Sequence, residues 1–147
     1  MEVDLGSLSR SVATRLRPQY DDQQVELTVD VPELVVTGDP DRLTQVIVNL
    51  LGNALSHTPP GGQVEVSGRR IDDHVDLSVR DMGNGIEPGD LPYIFDRFYR
   101  GDPSVPGGSG IGLTIARAIA RDHGGDVNAH SDGPGTGATF TLQLPSR

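Results

Sequence analysis

The stretch from Asp39 to Ser56 constrains the fold most, because its apolar residues recur at every step of a helical repeat. These residues are Leu43, Val46, Ile47, Leu50, Leu51, Ala54 and Leu55. A helix with one apolar stripe must bury that stripe against another element. Strands are predicted on both sides of it, because apolar residues alternate over 25–31 before the helix and over 64–79 after it, the latter with a hairpin turn at Asp72-Asp73.

Two further helices are predicted. Asp4 is a suitable cap for a first helix, which we expect to stop at Pro18, and a last helix should run from Ile111 to a stop at Gly124-Gly125. Two strands, around 126–130 and 138–144, finish the chain, and residues 81–110 are expected to form mostly loop with a short helical turn at 91–95. The pattern predicts one domain over 1–147 of the α+β class: a two-layer α/β sandwich with helices on one face of a mostly antiparallel mixed sheet.

Charge and composition exclude several classes of partner. The net charge of −9 at pH 7 opposes binding to nucleic acid or to an anionic membrane surface. All 12 basic residues are Arg, so any phosphate contact must come from Arg or from neutral donors. The chain has no Cys, and none of its apolar runs approaches the ~20 residues of a membrane span.

Three polar residues form a row on the long helix. Asn49, Asn53 and His57 are spaced i, i+4 and i+8, along the edge of the apolar stripe. An Asn carbonyl is a neutral, hard oxygen ligand that suits Mg²⁺ when water and phosphate supply the other ligands. The alternative is that these are ordinary boundary residues bonded to solvent.

A carboxylate and two glycines directly follow a predicted strand. In the segment 81–86, Asp81 can accept a hydrogen bond from an exocyclic amine, and Gly83 and Gly85 would let a flat ring approach the backbone. The alternative is a plain Asp/Gly turn.

Three more segments carry candidate ligands. Glycines at 107–112 open the last helix, where backbone N–H groups and the helix dipole favour phosphate, although a flexible hinge has the same composition. Before them, Arg97 and Arg100 lie among aromatic residues and either reach phosphates or are solvated. The segment 135–140 is a glycine turn that leads into the final strand.

Taken together, in this order and spacing, the five segments resemble the N, G1, F, G2 and G3 boxes of the histidine-kinase branch of the gyrase, Hsp-chaperone, kinase and MutL ATP-binding superfamily. The resemblance extends from Asp4 to Pro145. It implies the Bergerat ATP-binding fold and the catalytic domain of a bacterial two-component sensor histidine kinase, with ATP and Mg²⁺ as cofactors.

The resemblance also implies roles for individual residues. Asn53 would be the principal magnesium ligand with Asn49 nearby, Asp81 would read the adenine amino group, and Thr139 would approach the edge of the base. A lid would cover about residues 96–110, and the residues implied in catalysis are Asn49, Asn53, Arg97 and Arg100. The implied nucleotide contacts are Asn49, Asn53, His57, Asp81, Gly83, Gly85, Ile86, Arg97, Tyr99, Arg100, Gly108, Gly110, Gly112, Leu113 and Thr139.

Two departures from the resembled pattern affect the expected chemistry. Asn49 stands where the hydrolysing branches carry a Glu that activates water. A carboxamide cannot act as a general base, so we expect ATP to be held for another nucleophile. Ser56 and His57 stand where relatives often carry Lys followed by Tyr or His, which removes one possible phosphate contact.

None of the four histidines has the acidic, apolar and basic neighbours of a phosphoacceptor. The resemblance therefore implies that the acceptor His belongs to a dimerisation domain upstream of residue 1, and that a response regulator is served indirectly. We expect this chain to be monomeric and cytoplasmic, in a full-length protein of the bacterial cell membrane. The alternatives are an anti-sigma-factor serine kinase, whose members usually lack a segment like Ile94–Arg100, and a non-catalytic nucleotide-binding module.

Overall fold

The computed structural model describes residues 1–83, 112–133 and 135–146. The described elements are β1 (Glu2–Asp4), α1 (Leu5–Asp22), β2 (Glu26–Asp30), β3 (Val35–Thr37), α2 (Pro40–Ser56), β4 (Gln63–Ile71), β5 (His74–Asp81), α3 (Gly112–Asp122), β6 (Asp126–His130) and β7 (Ala138–Pro145). The predicted helical turn at 91–95 lies outside the described residues.

The main sheet has five strands in the order β2-β4-β5-β7-β6. The β2–β4 pair is parallel, while the β4–β5, β5–β7 and β6–β7 pairs are antiparallel. A second, two-stranded sheet pairs β1 with β3. The predicted fold class, helices on a mostly antiparallel mixed sheet, is confirmed, but β1 was not predicted because its three residues carry no periodic signal of their own.

The core lies between the helices and one face of this sheet. Along β5, Val75, Leu77 and Val79 are buried and alternate with more exposed residues, which is the pattern of a sheet covered on one side. The whole apolar stripe of α2 is buried, as its period requires. Asp39 caps this helix by accepting hydrogen bonds from the backbone N–H groups of Asp41 and Arg42, and Pro40 occupies the first turn, where no N–H is needed.

Helix α1 does not stop at Pro18, so that prediction is wrong. The helix continues to Asp22, with Pro18 exposed inside it. Beyond the proline, the Tyr20 side chain is fully buried and its hydroxyl donates a 2.6 Å hydrogen bond to the Leu51 carbonyl of α2. This packing stabilises the last turn and offsets the backbone hydrogen bond that proline cannot make.

None of the helices in the described ranges is both long and apolar enough to cross a membrane.

Candidate functional site

Asp81 is the last residue of β5, and its carboxylate is almost fully buried at 2% exposure. Asp81 is two residues after the buried Val79, so both side chains lie on the helix-covered face of the sheet. Burial raises the pKa of Asp81 to about 6, against the lowering effect of hydrogen bonds from the backbone N–H groups of Gly83 and Ala138. At neutral pH the site therefore holds a desolvated carboxylate, and a carboxylate has room for further donors besides these two.

Two glycines allow three backbone segments to meet around this carboxylate. A Cβ on Gly83 would lie 1.9 Å from the His57 carbonyl oxygen, and a Cβ on Gly137 would lie 2.1 Å from the Asp81 carbonyl oxygen. Gly137 also has a φ of +78°, which L side chains rarely adopt. The end of α2, the end of β5 and the start of β7 thus approach more closely than any other residue type permits.

The row predicted on α2 is present. Asn49 and Asn53 lie one turn apart on the helix, and His57 forms its C-terminal cap. The Nδ2 atom of Asn53 is buried and has no hydrogen-bond partner within the described part of the chain. Burial lowers the pKa of His57, which favours the neutral form of this imidazole.

Asn49 connects this row to the start of α3. Its Nδ2 donates a 3.0 Å hydrogen bond to the Gly112 carbonyl, across 63 positions of sequence. The next residue, Leu113, packs partly buried against the core. The first turn of a helix has N–H groups without intrahelical partners, so the Asn row lies beside a helix end suited to anions.

The register of β7 corrects the prediction for Thr139. Thr139 is paired with Arg80 and with His130, whereas Ala138 is the residue paired with Asp81. Because successive side chains point to opposite faces of a sheet, Thr139 lies on the face away from the helices. Ala138 is the β7 residue beside the carboxylate, and counting the alternation back from Phe140 would have identified it.

The remaining predicted contacts lie outside the described residues. They are Gly85, Ile86, Arg97, Tyr99, Arg100, Gly108 and Gly110, together with the whole segment 96–110 predicted as a lid. The structure brings Asn49 together with Gly112, and Asp81 together with Gly83 and His57, with Asn53 between these groups along α2. The arrangement supplies a carboxylate for an amine, carboxamides for a hard cation and a helix end for phosphates.

Comparison with known proteins agrees with this arrangement. Residues 38–147 match the family described as histidine kinase-, DNA gyrase B- and HSP90-like ATPases. The chain is 38% identical over 149 residues to the sensor-like histidine kinase SenX3 of Mycobacterium tuberculosis, a match that covers 99% of this chain and 36% of SenX3. The chain thus spans about a third of the length of that relative.

Solved structures of histidine kinases also match this chain. The mycobacterial sensor histidine kinase MprB superposes with a TM-score of 0.89 at 34% identity, covering 100% of this chain and 97% of the other. The histidine kinase ThkA, solved in complex with the response regulator protein TrrA, matches with a TM-score of 0.84 at 25% identity, covering 100% of this chain and 42% of that one. The chain therefore belongs to the histidine kinase-, DNA gyrase B- and HSP90-like ATPase family, as the catalytic domain of a sensor histidine kinase.

Proposed function

We propose that this domain binds Mg-ATP between the end of β5, the Asn row of α2 and the start of α3, and donates the γ-phosphate to a histidine outside the chain. The observation that carries this proposal is the buried Asp81 carboxylate, ionised at neutral pH and set among close-packed glycines. A buried charge is costly unless it is paired, which favours a ligand with a hydrogen-bond donor such as the adenine amino group.

Asn53 fits a role in holding magnesium. Within the described residues no hydrogen bond fixes the orientation of its buried Nδ2, so the amide can turn its oxygen to a cation, whereas Asn49 is hydrogen-bonded through both its nitrogen and its oxygen. An amide oxygen is a suitable ligand for a hard cation that retains several waters. Bound magnesium would offset negative charge on the phosphates during transfer.

Phosphate transfer requires a nucleophile that this chain does not provide in the proposed arrangement. Asn49 cannot accept a proton as a catalytic base, which favours retention of ATP over its hydrolysis. We propose that the attacking imidazole belongs to an upstream dimerisation domain of a membrane-located sensor, and that the phosphate then passes to a response regulator. The ThkA complex with TrrA supports a partner of that kind.

The test is calorimetric titration of this chain with Mg-ATP. Asn53→Ala should weaken magnesium-dependent binding roughly tenfold or more, since losing even a group that only orients a metal ligand has an effect of that size. Asn128→Ala, at an exposed position of β6, is the matched control and should bind as the unmodified chain does. Unchanged binding by Asn53→Ala would refute the assigned role.

A second measurement separates binding from transfer. Incubation of the chain alone with γ-labelled ATP should leave no stable acid-labile phosphate on it. Stable phosphohistidine would contradict the external acceptor, and absence of any Mg-ATP affinity in the unmodified chain would favour a non-catalytic module.

A further inference from the structure

Gln45, which the sequence motifs do not single out, begins a short chain of hydrogen bonds between α2 and α3. Its Nε2 donates a 2.7 Å hydrogen bond to the Oδ1 of Asn49, one turn along the helix. Asn49 in turn donates from Nδ2 to the Gly112 carbonyl at 3.0 Å. We call this series of three residues the amide clasp.

The Gly112 carbonyl determines which atoms of the clasp donate and which accept hydrogen bonds. A backbone carbonyl can only accept, so Asn49 must turn its nitrogen toward Gly112 and its oxygen away from it. Gln45 must therefore present its own NH₂ group to that oxygen. Each carboxamide is held in one of its two orientations, and Gln45 is the donor that stabilises this state.

The clasp joins two parts of the proposed nucleotide site. Asn53, the proposed magnesium ligand, follows Asn49 at the next turn of α2, and Gly112 is the first residue of α3. The Asn49 Nδ2 and the Gly112 carbonyl oxygen are 3.0 Å apart, so the carboxamide and the start of α3 are in direct contact. The clasp thus fixes the orientation of the Asn49 carboxamide against the start of α3, beside the Asn row.

Loss of the clasp should leave the fold intact. Gln45 is exposed, while α3 is anchored in the core by Ala116, Ile119 and Ala120. Apolar packing therefore keeps the two helices together, and the hydrogen bonds orient only their polar groups.

From these contacts we propose that Gln45 is a positioning residue for Mg-ATP, acting through Asn49 on the start of α3. The inference rests on the proposed function. It predicts that Gln45→Met, which keeps the length of the side chain but removes the donor, weakens Mg-ATP binding roughly threefold to tenfold, the worth of one hydrogen bond. Gln19→Met, at an exposed position of α1, is the matched control.

A double-mutant cycle tests whether the effect passes through Asn49. Binding of Mg-ATP is measured for the unmodified chain, Gln45→Met, Asn49→Ala and the double variant, with the denaturation midpoint of each. We expect Gln45→Met to weaken binding without moving its midpoint, and to have no further effect once Asn49 is replaced. Asn49→Leu, which removes both the donor to Gly112 and the acceptor for Gln45 at similar volume, takes the place of Asn49→Ala if the latter does not fold.

A nucleotide-free readout completes the test. In ¹⁵N-resolved NMR spectra, Gln45→Met should shift the side-chain NH₂ signals of Asn49, and Gln19→Met should not. If the unmodified chain binds Mg-ATP but Gln45→Met binds equally well, or loses as much affinity in the Asn49→Ala background, the positioning role is wrong. If the unmodified chain does not bind Mg-ATP, the proposed function fails together with this inference.

Discussion

Replacing Asp81 with Asn should make the folded chain more stable while removing the charge that we propose binds the adenine amino group. Burial raises the pKa of this carboxyl from 3.8 to about 6. The unfolded chain therefore releases the proton at lower pH than the folded chain does. The stability of the folded chain consequently falls as pH rises from 3.8 to about 6, and it is constant above that range.

The size of this effect can be worked from the two pKa values. A difference of about 2.2, at about 1.36 kcal/mol for each pKa unit, means that the ionised carboxylate costs about 3 kcal/mol at pH 7. Asparagine keeps an oxygen for the 3.0 Å hydrogen bond from Gly83 but presents an NH₂ group in place of the second carboxylate oxygen, which offsets about 1 kcal/mol or somewhat more. The expected net gain is about 1–2 kcal/mol, or roughly 3–6 °C in the thermal midpoint for a chain of this size.

The assay is urea denaturation of both proteins between pH 4.5 and pH 8. The gain in the free energy of unfolding for Asp81→Asn over the unmodified chain should be nearly complete above pH 6. It should shrink by roughly 2 kcal/mol at pH 4.5, since Asp81 of the unmodified chain is then largely protonated. The same variant should lose Mg-ATP affinity at pH 7. If Asp81 binds nucleotide as proposed, the variant would gain stability and lose binding, which is a common trade-off between stability and function.

Asp126 provides a control of opposite sign. Burial acts to raise its pKa, but hydrogen bonds from Arg117, Val127 and Arg121 outweigh burial and leave the pKa lowered. A lowered pKa contributes stability above the unfolded value of 3.8, which is lost as pH falls, so Asp126→Asn should destabilise the chain at pH 7. Destabilisation by Asp81→Asn at pH 7 would contradict the proposed cost of the buried charge. So would a difference in the free energy of unfolding between this variant and the unmodified chain that does not change from pH 6 to pH 4.5.

Three substitutions test the packing. Gly52→Ala should raise the free energy of unfolding by about 0.5–1 kcal/mol in urea denaturation, because Gly52 is an exposed helical residue with nothing within 4 Å of an added Cβ. Gly83→Ala should lower the thermal midpoint and abolish Mg-ATP binding, since its Cβ would overlap the His57 carbonyl; a midpoint equal to that of the native chain would contradict this. Tyr20→Phe leaves the buried Leu51 carbonyl without its 2.6 Å donor and should cost about 1–2 kcal/mol in the same denaturation assay, and no loss would refute it.

Local elements were predictable where the chain repeats a simple period. The stripe of α2, the alternation of β4 and β5 and the hairpin at Asp72-Asp73 depend on backbone geometry that neighbouring residues share. The same holds for Asp4, which was predicted to cap α1 and does so, because capping uses a side chain and an N–H group two residues away.

The course of α1 was not predictable from local rules. Pro18 ordinarily ends a helix, and the residue that overcomes this is Tyr20, through a hydrogen bond to Leu51 that spans 31 positions of sequence. Propensity is a weak prior that a buried tertiary contact can override.

For the site, the chemical groups could be read from the order of residues: two carboxamides one helical turn apart, and a carboxylate followed by glycine at the end of a strand. Their partners could not, because they depend on how separate segments pack. Strand register set Ala138 rather than Thr139 beside Asp81, and helix packing brought Gly112 to the amide that Gln45 orients. The physical reason is that periodicity is a property of one segment, whereas register, close approach and hydrogen-bond direction are properties of two segments at once.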